Sequence, residues 1–109
     1  MNKTLEAYLA CALWSSSISE YAISDFSIDA IKEAQSDVFD FVNANQDLIT
    51  KSELSEEQVG HDFWLTRNGH GAGFWDRGLG KIGQELTENC KPYGSCDLYV
   101  SDDGHVNIM

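Results

Sequence analysis

Ser55-Glu56-Glu57-Gln58-Val59-Gly60-His61-Asp62-Phe63-Trp64-Leu65-Thr66-Arg67-Asn68-Gly69-His70-Gly71-Ala72-Gly73-Phe74-Trp75-Asp76-Arg77-Gly78 is the stretch on which the fold turns. It supports two readings. In the first, Ser55 opens a helix and Gln58 completes a capping box: the Ser hydroxyl meets the third amide and the Gln side chain reaches back. Val59, Phe63, Trp64 and Arg67 continue that helix, and Asn68-Gly69 stops it. In the second, residues 63–66 and 72–75 pair as a hairpin around Asn68-Gly69. The strong cap favours the helix, although Gly60 in its interior costs about 1 kcal/mol relative to Ala. Gly69 to Gly78 then forms a glycine-rich loop.

Downstream of the loop, a helix is expected over residues 79–89, with Leu79, Ile82 and Leu86 inward and Lys91-Pro92-Tyr93-Gly94 ending it. Asp97 to Val100 reads as a strand with Leu98 and Val100 on one face. An Asp-Gly turn follows within Ser101 to Gly104, and His105 to Met109 returns as a second strand. Upstream, Thr4 to Ser15 reads as a core helix capped by Thr4. Leu5, Leu9, Ala12 and Leu13 share its inner face, and Trp14 extends that face. Ser27 caps a longer helix from Ile28 to Ala44, whose Ile28, Ile31, Val38, Phe41 and Val42 fall on one side. Residues 43–51 read as a polar exit anchored by Leu48 and Ile49. The expected class is α+β: a mostly helical small single domain with a C-terminal two-stranded β-hairpin. It divides into an acidic helical half, residues 1–54, and a half from 55 to 109 that carries the quoted stretch.

The chain has 109 residues, too few for two independent cores, and its 42% hydrophobic content suffices for one. The formal charge of −11 argues against general binding to nucleic acid or anionic membrane, and permits binding to a basic surface. The charge is uneven. Residues 1–60 hold eleven acids and three bases, net −8, whereas residues 61–109 hold seven acids and four bases, net −3. On the Ile28 to Ala44 helix, Asp29, Glu33, Asp37 and Asp40 recur at three- and four-residue steps as an acidic stripe about 16 Å long. Asp47 extends the stripe if the helix continues. A DNA strand carries a phosphate every ~3.4 Å of axis, so the stripe is a sparser row of the same sign. No apolar run reaches the roughly 18 residues of a membrane span. The Leu9-Ala10-Cys11 triplet lacks the positive start of a lipoprotein signal and reads as core helix. Three cysteines, Cys11, Cys90 and Cys96, do not form a disulfide framework, and reduced thiols are expected. A Cys90–Cys96 bridge would require the five residues between them to turn back.

The quoted stretch crowds titratable and aromatic side chains together: His61, Asp62, Trp64, Arg67, Asn68, His70, Trp75, Asp76 and Arg77. A nucleophilic triad of Cys90, His70 and Asp76 can be drawn, but nothing in the spacing selects it, and no catalytic residue is assigned. The glycines do not follow phosphate-loop spacing. His61, His70, Cys90 and Cys96 lack the short paired spacing of structural zinc sites, and neither metal nor cofactor is expected. A bidentate Arg67–Asp76 pair is expected to pin the loop to the helix. Phe63-Trp64 and Phe74-Trp75 would clasp the loop from either side, with the N–H of Trp64 or Trp75 satisfied there. An exposed Trp would serve as an interface anchor.

The run from Asp62 to Gly78 resembles the signature of a family of small proteins widespread in bacteriophage and prophage genomes. The likeness continues through Gly83, Leu86, Thr87, Tyr93-Gly94 and the Tyr99 to Gly104 hairpin. It implies a phage protein acting in the cytoplasm of an infected bacterial host, and it assigns no catalytic residues. Three functions follow as expectations. The first is a phage-encoded inhibitor of a bacterial defence nuclease, of the anti-CRISPR or anti-restriction type. Its acidic helix face (Asp29, Glu33, Asp37, Asp40, Asp47) would occupy a basic nucleic-acid groove, so its partner is a host nuclease or another protein with a basic surface, not nucleic acid or membrane. The second is a small enzyme or nucleotide-binding protein using His61 to Arg77. The third is an accessory phage protein whose signature half is purely structural.

Overall fold

The computed structural model describes residues 1–70 and 72–109; Gly71, part of the expected glycine-rich loop, lies outside the described residues. Five helices precede a two-stranded hairpin: α1 (Lys3–Ser15), α2 (Ile28–Ala44), α3 (Gln46–Ser52), α4 (Glu56–Arg67), α5 (Lys81–Cys90), β1 (Leu98–Val100) and β2 (Val106–Ile108). They enclose one core, and the α+β reading holds.

The helix reading of the quoted stretch is the observed one. Ser55 caps α4 by accepting a hydrogen bond from the Gln58 amide at 3.1 Å. The capping box is only half made, because the Gln58 side chain turns inward and donates to Asp62 Oδ1 at 2.8 Å. A buried carboxylate is a stronger acceptor than a backbone group that water already serves. Gly69, at φ +70°, ends the helix in the left-handed conformation that a side chain would resist.

α4 packs chiefly against α1. Asn2, not Thr4, caps α1, accepting from the Leu5 amide at 2.7 Å; Thr4 is buried within the first turn. Gly60 explains how close the two helices come. A Cβ there would lie 2.0 Å from the Thr4 carbonyl oxygen, so the residue that weakens helix propensity makes the packing possible. Leu5, Tyr8, Leu9, Ala12 and Leu13 face inward. Trp14 does not extend that face: it is 64% exposed. At 3.6 residues per turn it stands about 100° beyond Leu13, which carries it to the outer side.

In α2 the Ser27 cap is as expected, accepting from the Ala30 amide at 3.1 Å. The buried face is Ala30, Ala34, Val38 and Phe41, with Ile31 and Val42 packed at its edge. Ile28 is 74% exposed, contrary to expectation, because it lies roughly 200° around the helix from Ala30. α2 does not run on to Asp47. Buried Asn45 ends it, donating to the Phe41 carbonyl at 2.8 Å and accepting from Asn89 at 2.7 Å. The expected polar exit is instead the separate helix α3, so Asp47 lies outside the α2 stripe.

The core centres on stacked rings. Phe41 and Phe63 lie 4.2 Å apart, Tyr8, Phe74 and Tyr93 surround them at 5.1–5.9 Å, and Trp64 meets Tyr8 edge-on at 5.3 Å. Burial of one such side chain is worth about 1.5–3 kcal/mol, and favourable ring geometry adds about 0.5–1.5 kcal/mol per pair. The hairpin pairs antiparallel, Leu98 with Ile108 and Val100 with Val106. It is stitched to the helices where the Ser27 amide donates to the Val106 carbonyl at 2.9 Å. That bond draws the segment before α2 into the core, with Phe26 buried.

Candidate functional site

Two regions hold the residues singled out from the sequence, and they are built in opposite ways. The first is the interior of the quoted stretch. Arg67 emerges from the last turn of α4 with only 5% of its side chain exposed. The expected Arg67–Asp76 lock is not made. Arg67 Nη1 donates to Asp37 Oδ2 at 2.8 Å and to the Tyr8 hydroxyl at 2.9 Å. Nη2 reaches the Tyr93 carbonyl at 2.8 Å, and Nε reaches the Gly94 carbonyl at 2.9 Å. The guanidinium also lies 5.6 Å from the Phe63 ring centre and 6.0 Å from that of Tyr93. Two carbonyls after α5 thus share one cation with a carboxylate of α2. Asp76, in a short 3-10 turn, is exposed.

The second internal lock belongs to Asp62, which is fully buried. Arg77 grips it with two parallel bonds, Nε to Oδ2 at 3.0 Å and Nη2 to Oδ1 at 2.8 Å. The glycine loop is therefore pinned to α4, by Arg77–Asp62 in place of the expected pair. Thr66 adds a bond by accepting from the Phe74 amide at 3.2 Å, and Gly73 leaves the room for it. Asn68 accepts from the Cys96 amide at 2.8 Å and donates to the Trp64 carbonyl at 2.9 Å, which ties the end of α4 to the start of the hairpin segment.

Three of the four residues of the expected aromatic clasp are drawn into the core. Phe63, Trp64 and Phe74 are buried, but Trp75 is 53% exposed. The Trp64 N–H is satisfied by Ser15 Oγ at 2.7 Å, at the end of α1 and not at the loop. All three cysteines carry free thiols, and burial pushes those of Cys11 and Cys90 up to about 12.

Of the titratable and aromatic residues singled out between His61 and Arg77, those facing solvent are His61, His70, Trp75, Asp76 and part of Arg77. His61 Nδ1 lies 3.4 Å from Asp62 Oδ1, and its ring lies roughly parallel to that of Trp14 at 6.2 Å. Trp14 and His61 line two neighbouring open depressions. One is shared with Gln58 and Arg77, and the other with His70 and Ala72. Trp14 was hidden from sequence reasoning by its place at the end of an apolar run. Its helical phase is the signal that marks it as outward.

The second region is the outer face of α2. Asp29 and Glu33 are exposed and stand one turn apart. Asp37 is drawn toward Arg67, and Asp40 accepts a hydrogen bond from the Tyr93 hydroxyl. The stripe is therefore two free carboxylates followed by two that also hold the fold. Asp47 is exposed on α3. Of the eleven acids in residues 1–60, all except Asp25 and Asp37 are exposed, so the acidity of that half is carried on its surface.

Searches against protein-family models, curated proteins and solved structures give no match to this chain. Among the described residues, no helix is long and apolar enough to cross a membrane.

Proposed function

We propose that the protein is a binding module that occupies a basic, nucleic-acid-holding surface of another protein. The observation that carries this reading is the outward acidity of the N-terminal half, led by Asp29 and Glu33 on α2. Exposed carboxylates on a rigid helix repel nucleic acid and attract the surface that holds it, giving affinity and selectivity through one charge pattern. Asp40 extends the negative surface while held by the Tyr93 hydroxyl, which fixes its position before binding, whereas the charge of Asp37 is countered by Arg67. The phage signature adds the setting: an inhibitor of a bacterial defence nuclease, of the anti-CRISPR or anti-restriction kind, working in the infected cell's cytoplasm.

The reading that gives the signature half a scaffold role is part of the same proposal. Asp62, Trp64, Arg67, Asn68 and Arg77 are committed to partners within the chain, so they stabilise the body that presents the acidic face. A small enzyme or nucleotide binder would instead use the depressions beside His61 and His70.

The test is capture of host proteins from infected-cell extract on the tagged protein at low and high salt. A nucleic-acid-binding protein retained at low salt, released at high salt and displaced by added DNA supports the proposal. Unchanged capture and inhibition by an Asp29→Lys/Glu33→Lys variant would exclude the acidic-face mechanism.

A further inference from the structure

Trp14 is the most exposed large aromatic side chain among the described residues, at 64%, and its ring lies roughly parallel to that of His61 at 6.2 Å. It stands in the last turn of α1, where the helix ends at Ser15 with no basic residue in that turn. The depression beside Trp14, about 590 Å³, is also lined by Ala10, Glu57, Gln58, His61 and Arg77. The charge of Arg77 is countered by buried Asp62 through two bonds, whereas Glu57 is exposed. An aromatic face and an exposed carboxylate thus meet at one concave place on a strongly acidic protein.

We infer that this depression is a cation-binding anchor: it takes the side chain of an arginine or lysine projecting from the basic partner, stacked on Trp14 with its charge directed toward Glu57. This rests on the proposed binding function and names the specific contact within it. Indole is the strongest aromatic partner for a cation. Trp is also over-represented among the few residues that dominate interface energies. The outer face of α2 supplies long-range attraction, and the Trp14 depression supplies the short-range contact that selects a guanidinium or ammonium group.

The experiment titrates the ¹⁵N-labelled intact protein with a nona-arginine peptide at low salt. It follows the three indole N–H resonances and compares Trp14→Ala, Trp14→Leu and Asp29→Lys/Glu33→Lys variants with the wild type. The inference expects the Trp14 indole resonance to move most. It expects affinity to fall about fivefold in Trp14→Ala, with no recovery in Trp14→Leu, which keeps apolar area but lacks a π face. Exposure at position 14 leaves folding intact in both variants. Wild-type affinity in Trp14→Ala, together with loss in the α2 variant, overturns the anchor and leaves the acidic-face reading standing. Full recovery in Trp14→Leu would make the contact merely apolar and also overturns the anchor. Loss in Trp14→Ala with no effect of the α2 variant supports the anchor and removes the acidic face. No binding by the wild type removes both.

Discussion

Arg67 and Glu33 lie on two neighbouring helices and are both charged, yet they do opposite things. Arg67 is buried and satisfied by Asp37, Tyr8 and two carbonyls, so the fold depends on it. Glu33 is exposed, so the fold is indifferent to it. The same contrast separates Asp62, sealed under Arg77, from Asp29, open to solvent. Charged residue types alone do not mark a binding site. A charge consumed by internal bonds builds the scaffold, and a charge left facing water is free to meet a partner.

The strongest way to break this contrast is to remove the buried cation. Arg67→Ala leaves Asp37, the Tyr8 hydroxyl and two carbonyls without their donor. Breaking a buried pair in this way costs about 3–5 kcal/mol. Urea denaturation should show that loss, with Arg67→Lys recovering little because an ammonium cannot span the forked set of acceptors. A loss below about 1 kcal/mol would mean that Arg67 is not the hub its geometry describes.

Steric rather than charge dependence marks the same half at Gly60. The added methyl of Gly60→Ala would press on the Thr4 carbonyl, with 2.0 Å between them before any adjustment. Relief requires α1 and α4 to move apart, at a cost of about 3 kcal/mol. Helix propensity alone predicts the opposite sign, a gain of about 1 kcal/mol. The sign of the change in urea midpoint therefore decides between the packing and the local effect.

How much of this was legible beforehand depends on the range of the interaction. Ser27 and Ser55 announce their helices because a cap works across three residues, and Asp103-Gly104 announces the hairpin for the same reason. The partner of Arg67 was not legible. Asp76 is near in sequence, whereas Asp37 is brought up only when α2 packs beside α4. The Trp64 N–H was likewise assigned to the nearby loop but meets Ser15 across 49 positions of chain. Composition concealed Trp14, since an indole after Ala12-Leu13 reads as core until helical phase is followed residue by residue. α3 was missed because its seven residues are too few for a periodic pattern to stand out. The uneven charge of residues 1–60 and 61–109 is visible in the sequence. That Asp37 joins the two is not.

A milder test uses pH. Burial raises the thiols of Cys11 and Cys90 from 9.0 to about 12, and burial also raises the Tyr8 hydroxyl above its ordinary value. In each case the folded state holds its proton more tightly than the unfolded chain. The associated stability is fully present below pH 9 and is lost as pH rises from there toward the folded values. Each thiol contributes a slope of about 1.4 kcal/mol per pH unit in that window. Urea midpoints should be level up to about pH 9 and decline above it, and Cys90→Ala should decline less steeply with pH than the wild type. A decline beginning well below pH 9 would implicate other groups. Asp29 and Glu33 remain charged throughout this range, so the alkaline loss sharpens the separation between interior and outer face.

The smallest expected effect on stability is the one that bears most on function. Reversing Asp29 removes a favourable charge from the first turn of α2, a loss of about 0.3–1 kcal/mol. Reversing Glu33 as well leaves a like-charged pair at positions 29 and 33 but turns the one-turn repulsion from Asp37 into an attraction, worth about 0.2–0.5 kcal/mol for each repulsion removed or attraction gained. The two terms nearly cancel, and the urea midpoint of Asp29→Lys/Glu33→Lys should correspond to a change within about 0.5 kcal/mol. Asp37 must be left in place, because its reversal would set two cations against each other around Arg67 and confuse unfolding with lost binding. Against a basic partner the same variant should lose most of its affinity at low ionic strength. The difference from wild type should narrow as salt shortens the screening length below about 10 Å. A variant that stays folded and stops binding separates surface from scaffold directly. One that unfolds would show that the outer carboxylates also hold the fold, and the contrast between Arg67 and Glu33 would fail.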